Sequence, residues 1–252
     1  MANGSFSAVE LSLALEIGER LLVCGAEISR VEDTITRICR AYGARRVDVF
    51  TITSSIVVTA WGAEDVPFTQ TRRVTGMAFN LTALSELNAL SRKICAQRPE
   101  NACVTAELER IDALPKYGFG QMVGVYAMVA LAFTVFFGGS WRDALAAALI
   151  GALMKFAQAA FGRLRLNSLM SALLCSIGGG FCAWWIVNAG LADSVGSISI
   201  GDIMLLIPGV ALTNAIRDMF SGDTISGLLR FTEALLLSMV IALGFALPAA
   251  LF

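Results

Sequence analysis

Residues 118–138 read GFGQMVGVYAMVALAFTVFFG, a run without a single Asp, Glu, Lys or Arg. At a rise of about 1.5 Å per residue, a helix of that length crosses a hydrocarbon core of about 30 Å. Comparable apolar runs occupy 142–162, 167–189, 198–217 and 227–250. Helices of a soluble core would carry polar outer faces, and these runs lack them. The sequence therefore predicts a polytopic α-helical membrane protein, with about five transmembrane helices in a domain covering 116–252. Composition agrees, since only 15% of the 252 residues are charged, against about 25% in ordinary soluble domains. Mean hydropathy is +0.71.

Residues 1–115 have another character, with charges every few positions. Ser7 and Glu10 form a capping-box pattern that opens an amphipathic helix over 7–24, with Val9, Leu13, Ile17 and Leu21 on one face. Gly25 breaks it. A second helix is expected over 28–42, with Ile28, Val31, Ile35 and Ile38 buried and Gly43 past its end. From Arg46 to Ala60 the chain turns β-branched, which suits strands. Gly62, Asp65 and Pro67 punctuate, and 68–74 makes a third strand. Helical patterns return at 80–97 and 103–113. The order describes an N-terminal α+β soluble domain with a short antiparallel sheet. The start, Met1 to Ser7, has no basic region and Glu10 interrupts the next apolar stretch, so no secretory signal is expected.

Several functions are set aside by composition. A net charge of −1 offers no basic field for nucleic acid. With no histidine in the chain, neither a Ser-His-Asp nucleophile nor histidine-bound zinc can be built. No catalytic residue, metal site or cofactor is therefore expected. Cys24, Cys39, Cys95, Cys103, Cys175 and Cys182 show no C-x-x-C spacing and suit reduced thiols in a cytoplasmic first domain.

Basic residues orient the membrane half. Arg163 and Arg165 lie between the second and third spans, and Arg217 and Arg230 flank the fourth connection, whereas 191–201 has no Lys or Arg. The positive-inside rule then places the N-terminal domain in the cytoplasm and the C-terminus outside. Trp141, Trp184 and Trp185 fall at the outer interface and Tyr117 at the inner one.

Polar groups inside the spans need partners. Lys155 and Gln158 share one face, and Lys155 is close enough to a cytoplasmic end to snorkel. Asp202 stands near the outer start of the fourth span. Pro208-Gly209 in its middle means either a kink or a break that exposes a helix N-terminus to a substrate carboxylate. Asn214, Arg217 and Asp218 lie on one helical face. Glu233, well into the fifth span, either pairs with Arg230 or serves as a functional carboxylate.

The run LIPGVALTNAIRDMFSGDTISGLLRFTEAL from Leu206, together with GAEISRVEDTI from Gly25, resembles the signatures of the threonine/serine exporter family. The resemblance covers essentially the whole chain. It implies a secondary transporter, not an enzyme, that exports small carboxylate-bearing metabolites from the cell across its inner membrane. Threonine and serine, or dicarboxylates such as succinate, are the implied substrates, and the proton gradient the implied driving force. Members carry a cytoplasmic domain and two sets of about five helices. This chain resembles the first half, so a homo-oligomer or a second small polytopic subunit is the implied partner. Pro208, Gly209, Asn214, Arg217, Asp218, Gly222, Asp223 and Glu233 are the motif positions carried over as substrate-binding or transport residues. Arg217 would receive a substrate carboxylate, and Asp218 or Glu233 would exchange a proton. Glu27, Arg30 and Glu32 would hold the first domain together or dock it. Two other classes remain open: a regulatory or assembly subunit, and a membrane-anchored enzyme with a site near Thr53-Ser54-Ser55.

Overall fold

The computed structural model describes residues 6–63, 66–115 and 117–251. The expectations placed on the chain start before Phe6, on Asp65 and on Lys116 fall outside them. The chain divides into two compact units, Met1–Pro115 with Val210–Phe231, and Lys116–Gly209 with Thr232–Phe252.

In the first unit, α1 (Ala8–Val23) and α2 (Ile28–Ala41) precede a meander of β1 (Arg46–Ile52), β2 (Ser55–Trp61) and β3 (Pro67–Arg73), followed by α3 (Leu81–Gln97) and α4 (Asn101–Asp112). The capping box is formed: the Ser7 hydroxyl accepts from the Val9 amide, and the Ser7 amide donates to Glu10 Oε2 at 2.9 Å. Central β2 pairs antiparallel with both neighbours. Its Ile56, Val58 and Ala60 alternate inward, as a half-buried strand requires. They meet Leu11, Leu15 and Leu22 of α1 and Ile35 and Ile38 of α2 in one apolar core.

The second unit is a helix bundle of α5 (Phe119–Phe136), α6 (Trp141–Arg163), α7 (Ser168–Asn188) and α8 (Val195–Ile203), joined by the later part of α10 (Thr224–Leu251). Small residues let backbones approach. A Cβ on Gly201 would stand 2.7 Å from the Ala130 carbonyl of α5, and one on Gly151 would stand 2.9 Å from the Tyr126 carbonyl. One end is tied by Asp143, whose Oδ1 accepts from the Asp193 and Ser194 amides at 2.8 and 2.9 Å. Outer faces stay apolar: α5 buries only Ala130 and Thr134 and exposes Met128, Phe133 and Phe136. Large exposed apolar surfaces of this kind suit lipid.

The expected fourth span is interrupted. Among the described residues four single helices are long and apolar enough to cross a membrane: Phe119–Phe136, Trp141–Arg163, Ser168–Asn188 and Thr224–Pro248. The expected fourth span is two shorter helices, α8 and α9 (Gly209–Phe220). Pro208 has no amide to bond back to Met204, and its ring excludes a continuous helix there. The end of α8 tightens instead into i to i+3 bonds, Leu205 to Asp202 at 3.1 Å and Leu206 to Ile203 at 2.9 Å. Pro208-Gly209 marks a break.

Within the first unit, α9 and the start of α10 cross at Gly227. A Cβ there would meet Met219 Cγ at 2.5 Å and the Ala215 carbonyl at 2.8 Å. Backbone cannot yield as a side chain can, so Gly227→Ala should lower stability by about 1–3 kcal/mol. Gly162→Ala, where a Cβ meets nothing within 4 Å, should be close to neutral. Thermal unfolding of the two purified variants in detergent checks the contrast.

Candidate functional site

The first unit concentrates the motif residues around the turn that joins α1 to α2. Gly25, at φ +96°, supplies the left-handed residue that ends α1. Its amide bonds the Leu22 carbonyl at 3.1 Å, and the Ala26 amide bonds the Leu21 carbonyl at 2.9 Å. A side chain at Gly25 would also run into the Phe79 ring. The reversal leaves the carbonyls of Gly25 and Ala26 and the first amide of α2 needing partners outside α1 and α2.

Those partners come from α9 and the start of α10. Asn214 Nδ2 donates to the Gly25 carbonyl at 2.9 Å, and Arg230 Nη2 donates to the Ala26 carbonyl at 3.2 Å. Glu27 holds the Arg217 guanidinium in an ion pair. The Ile28 amide donates to Asp218 Oδ1 at 3.1 Å, across 190 residues of sequence. Four successive residues of the turn are thus each met by a side chain from α9 or α10. Glu27 is the N-cap of α2 but makes no side-chain cap bond. Asp218 does that work from elsewhere, with a negative charge at the positive end of the helix dipole.

Asp218 is also the counter-ion of Arg230. Their Oδ2 and Nη1 atoms stand 3.0 Å apart, with side chains 0% and 1% exposed. The Arg217–Glu27 pair differs, because the Arg217 side chain is 55% exposed. The first pair depends on burial, while the second is open to water and salt. Burial pushes the Asp218 carboxyl up, and the Arg230 guanidinium and Ile28 amide pull it only partly back.

Two further ties complete the cluster. Ser226 Oγ donates to the Thr51 carbonyl of β1 at 3.4 Å, and the Thr51 amide donates to Glu32 Oε1 at 2.8 Å. Burial raises the Glu32 carboxyl, the Thr51 amide offsets part of this, and nearby Asp223 adds to the rise. Between α9 and α10 the chain turns at Gly222, φ +97°, with the Asp223 amide bonded to the Asp218 carbonyl at 2.9 Å. Burial alone raises the Asp223 carboxyl.

Of the motif positions taken from sequence, Asn214, Arg217, Asp218, Gly222 and Asp223 belong to this cluster or its turn. Pro208, Gly209 and Glu233 belong to the second unit. Glu233 is exposed on α10, and Arg230 pairs with Asp218 rather than with it. Lys155 does not simply extend toward an end: its Nζ lies 4.8 Å from the Tyr126 ring centroid, a cation–π distance, while the Tyr126 hydroxyl donates to Gln158 at 2.9 Å. Sequence reasoning missed Ser226, the backbone of Gly25 and Ala26, and Asp143. Only Asp143 left a local signal, the Ser140-x-x-Asp143 capping pattern.

Residues 12–252 match the family described as "Putative threonine/serine exporter". The chain belongs to that family. It is 26% identical over 249 residues to the "Threonine/serine exporter" of Corynebacterium glutamicum, covering 94% of this chain and 50% of that protein. It is 23% identical over 235 residues to the "Probable succinate transporter subunit YjjP" of Escherichia coli (strain K12), covering 92% of this chain and 90% of that subunit. The chain therefore spans about half of the Corynebacterium exporter and nearly all of the Escherichia subunit. No solved structure matches.

The two ion pairs respond differently to truncation. Asp218→Ala leaves the Arg230 charge buried without its carboxylate and should cost about 3–5 kcal/mol. Arg217→Ala removes an exposed pair and should cost about 0–1 kcal/mol. Chemical denaturation of each variant, followed by tryptophan fluorescence, measures both.

Proposed function

We propose that this chain is one subunit of a secondary transporter in the cell inner membrane. It exports small carboxylate-bearing metabolites, either threonine and serine or dicarboxylates such as succinate, and couples export to the proton gradient. The observation that carries this reading is the break at Met204–Pro208, in a stretch apolar enough to have been expected as one span. Unwound backbone at membrane depth is tolerated only inside protein or along a polar route, and broken helices are where secondary transporters build their sites. The names of the two relatives support the substrate classes, and the word "subunit" in the second supports a partner. The partner is a second small polytopic protein, and a homo-oligomer is the other assembly that could complete the pathway. The N-terminal domain lies in the cytoplasm and the C-terminus outside.

Within this reading Pro208, Gly209, Asn214, Arg217, Asp218, Gly222, Asp223 and Glu233 are the residues on which transport depends. Arg217 is the one suited to exchange partners, since its pair with Glu27 is open to water and a substrate carboxylate could compete for the guanidinium.

A regulatory role for the first unit has one observation in its favour. An open polar cleft of about 790 Å³ runs beside α2 and is lined by Glu27, Ser29, Arg30, Asn88, Ser91 and Arg92 among others. The cleft is lined by the same Glu27 that holds Arg217.

Reconstitution tests the proposal. Vesicles holding this chain and the candidate second subunit should show efflux of labelled succinate or threonine under an imposed pH gradient, and vesicles with either protein alone should show much less. Absence of flux for both substrate classes with both subunits present would overturn it. Arg217→Ala should cut flux far more than it cuts stability.

A further inference from the structure

We propose that Asp202, in the last turn of α8, is the site at which the transporter takes up and releases its coupling proton. The inference rests on the transport reading above and concerns the second unit alone.

Asp202 has no exposed surface within this chain. Among the described residues neither of its carboxylate oxygens has a hydrogen-bond partner. Buried carboxylates are otherwise paired or bonded to amides, as Asp143 in the same unit is by Asp193 and Ser194. Position adds a second difficulty for an anion. Asp202 immediately precedes the final residue of a helix that ends at Ile203, where the carbonyl end of the dipole repels negative charge. Its neighbour Gly201 packs against α5, where a Cβ would stand 2.7 Å from the Ala130 carbonyl.

The groups that could answer the charge are few. Helices α5, α6 and α7 pack on α8. The one titratable group on α5 is Tyr126, whose hydroxyl already donates to Gln158, and the Thr134 hydroxyl donates to the Ala130 carbonyl. From α6 come Arg142, Asp143, Lys155 and Arg163, and Lys155 is held over the Tyr126 ring. From α7 come Cys175 and Cys182, and Cys182 lies within electrostatic reach of Asp202. A thiol is no counter-ion. A metal cation held by side chains would want several of them, and the described residues contain no group of three His, Cys, Asp or Glu. One proton added to one Oδ neutralises the carboxylate without any other partner, and its return to water restores the anion. No other bond changes.

The other two carboxylates differ. Asp218 already has a guanidinium and an amide, and Glu233 is exposed. Neither is buried with both carboxylate oxygens lacking a hydrogen-bond partner, as Asp202 is among the described residues. For Asp202, exchange requires that α8 move or hydrate in part of the cycle, which ties proton release to a change in bundle packing.

The test uses the reconstituted two-subunit complex with Asp202→Asn, which reproduces the shape of the neutral acid. Wild type and variant are compared in three readouts: substrate exchange without a gradient, net efflux driven by a pH gradient, and infrared absorption of protonated carboxyl groups. The expected result is retained exchange, loss of pH-driven efflux, and loss in the variant of a protonated-carboxyl band present in wild type near neutral pH. The inference is overturned if that band is absent from wild type, if Asp202→Asn keeps full pH-driven efflux, or if a sodium gradient alone drives wild-type flux. Failure of wild type to move any substrate overturns the transport reading instead. If the variant loses exchange as well, the infrared comparison alone decides.

Discussion

The ion pair between Asp218 and Arg230 is the constraint on which the rest of the first unit depends. Two full charges are removed from water, and such a pair is tolerable only when every remaining polar atom nearby is engaged. The surroundings meet part of that demand with backbone. Asp218 takes the first amide of α2, Arg230 takes the Ala26 carbonyl, and Asn214 takes the Gly25 carbonyl. The pair also fixes which residues may precede it. The turn needs a glycine at a positive φ, then backbone groups whose spacing matches side chains on α9 and α10.

This arrangement explains why two distant motifs resemble one signature. The segment beginning at Gly25 and the segment from Leu206 to Leu235 are two halves of one set of hydrogen bonds. Residues 210–231 belong to the first unit although they stand between apolar runs, and α10 continues from that unit into the second. A change in how Arg217 or Asp218 is engaged would therefore be felt at the start of a helix long enough to cross a membrane. The first unit is bonded to residues of α9 and to the start of α10.

Much of the architecture was legible because it obeys local rules. Ser7 and Glu10 announced the start of α1, the β-branched run from Arg46 announced the meander, and apolar runs of about 20 residues announced the membrane helices. One expected span, the fourth, is interrupted for a definable reason. Hydropathy over 198–217 averages across Pro208 and registers oil-solubility, whereas the missing proline amide decides continuity. Arg217 and Arg230 likewise read as loop charges along the sequence, yet Arg230 is buried with Asp218 and Arg217 is held by Glu27.

Residue order and hydropathy sufficed to determine the helical membrane class, the small sheet, the capping residues and the family, because each depends on neighbours within a few turns of chain. Pairing was settled only by tertiary structure. That Asp218 caps α2 from 190 positions away, that Arg230 prefers Asp218 to Glu233 three residues on, and that Asp202 is enclosed without a hydrogen-bond partner among the described residues are outcomes of packing. A charged side chain's behaviour depends on what surrounds it in space, and periodicity along one helix carries no record of the helices that close around it.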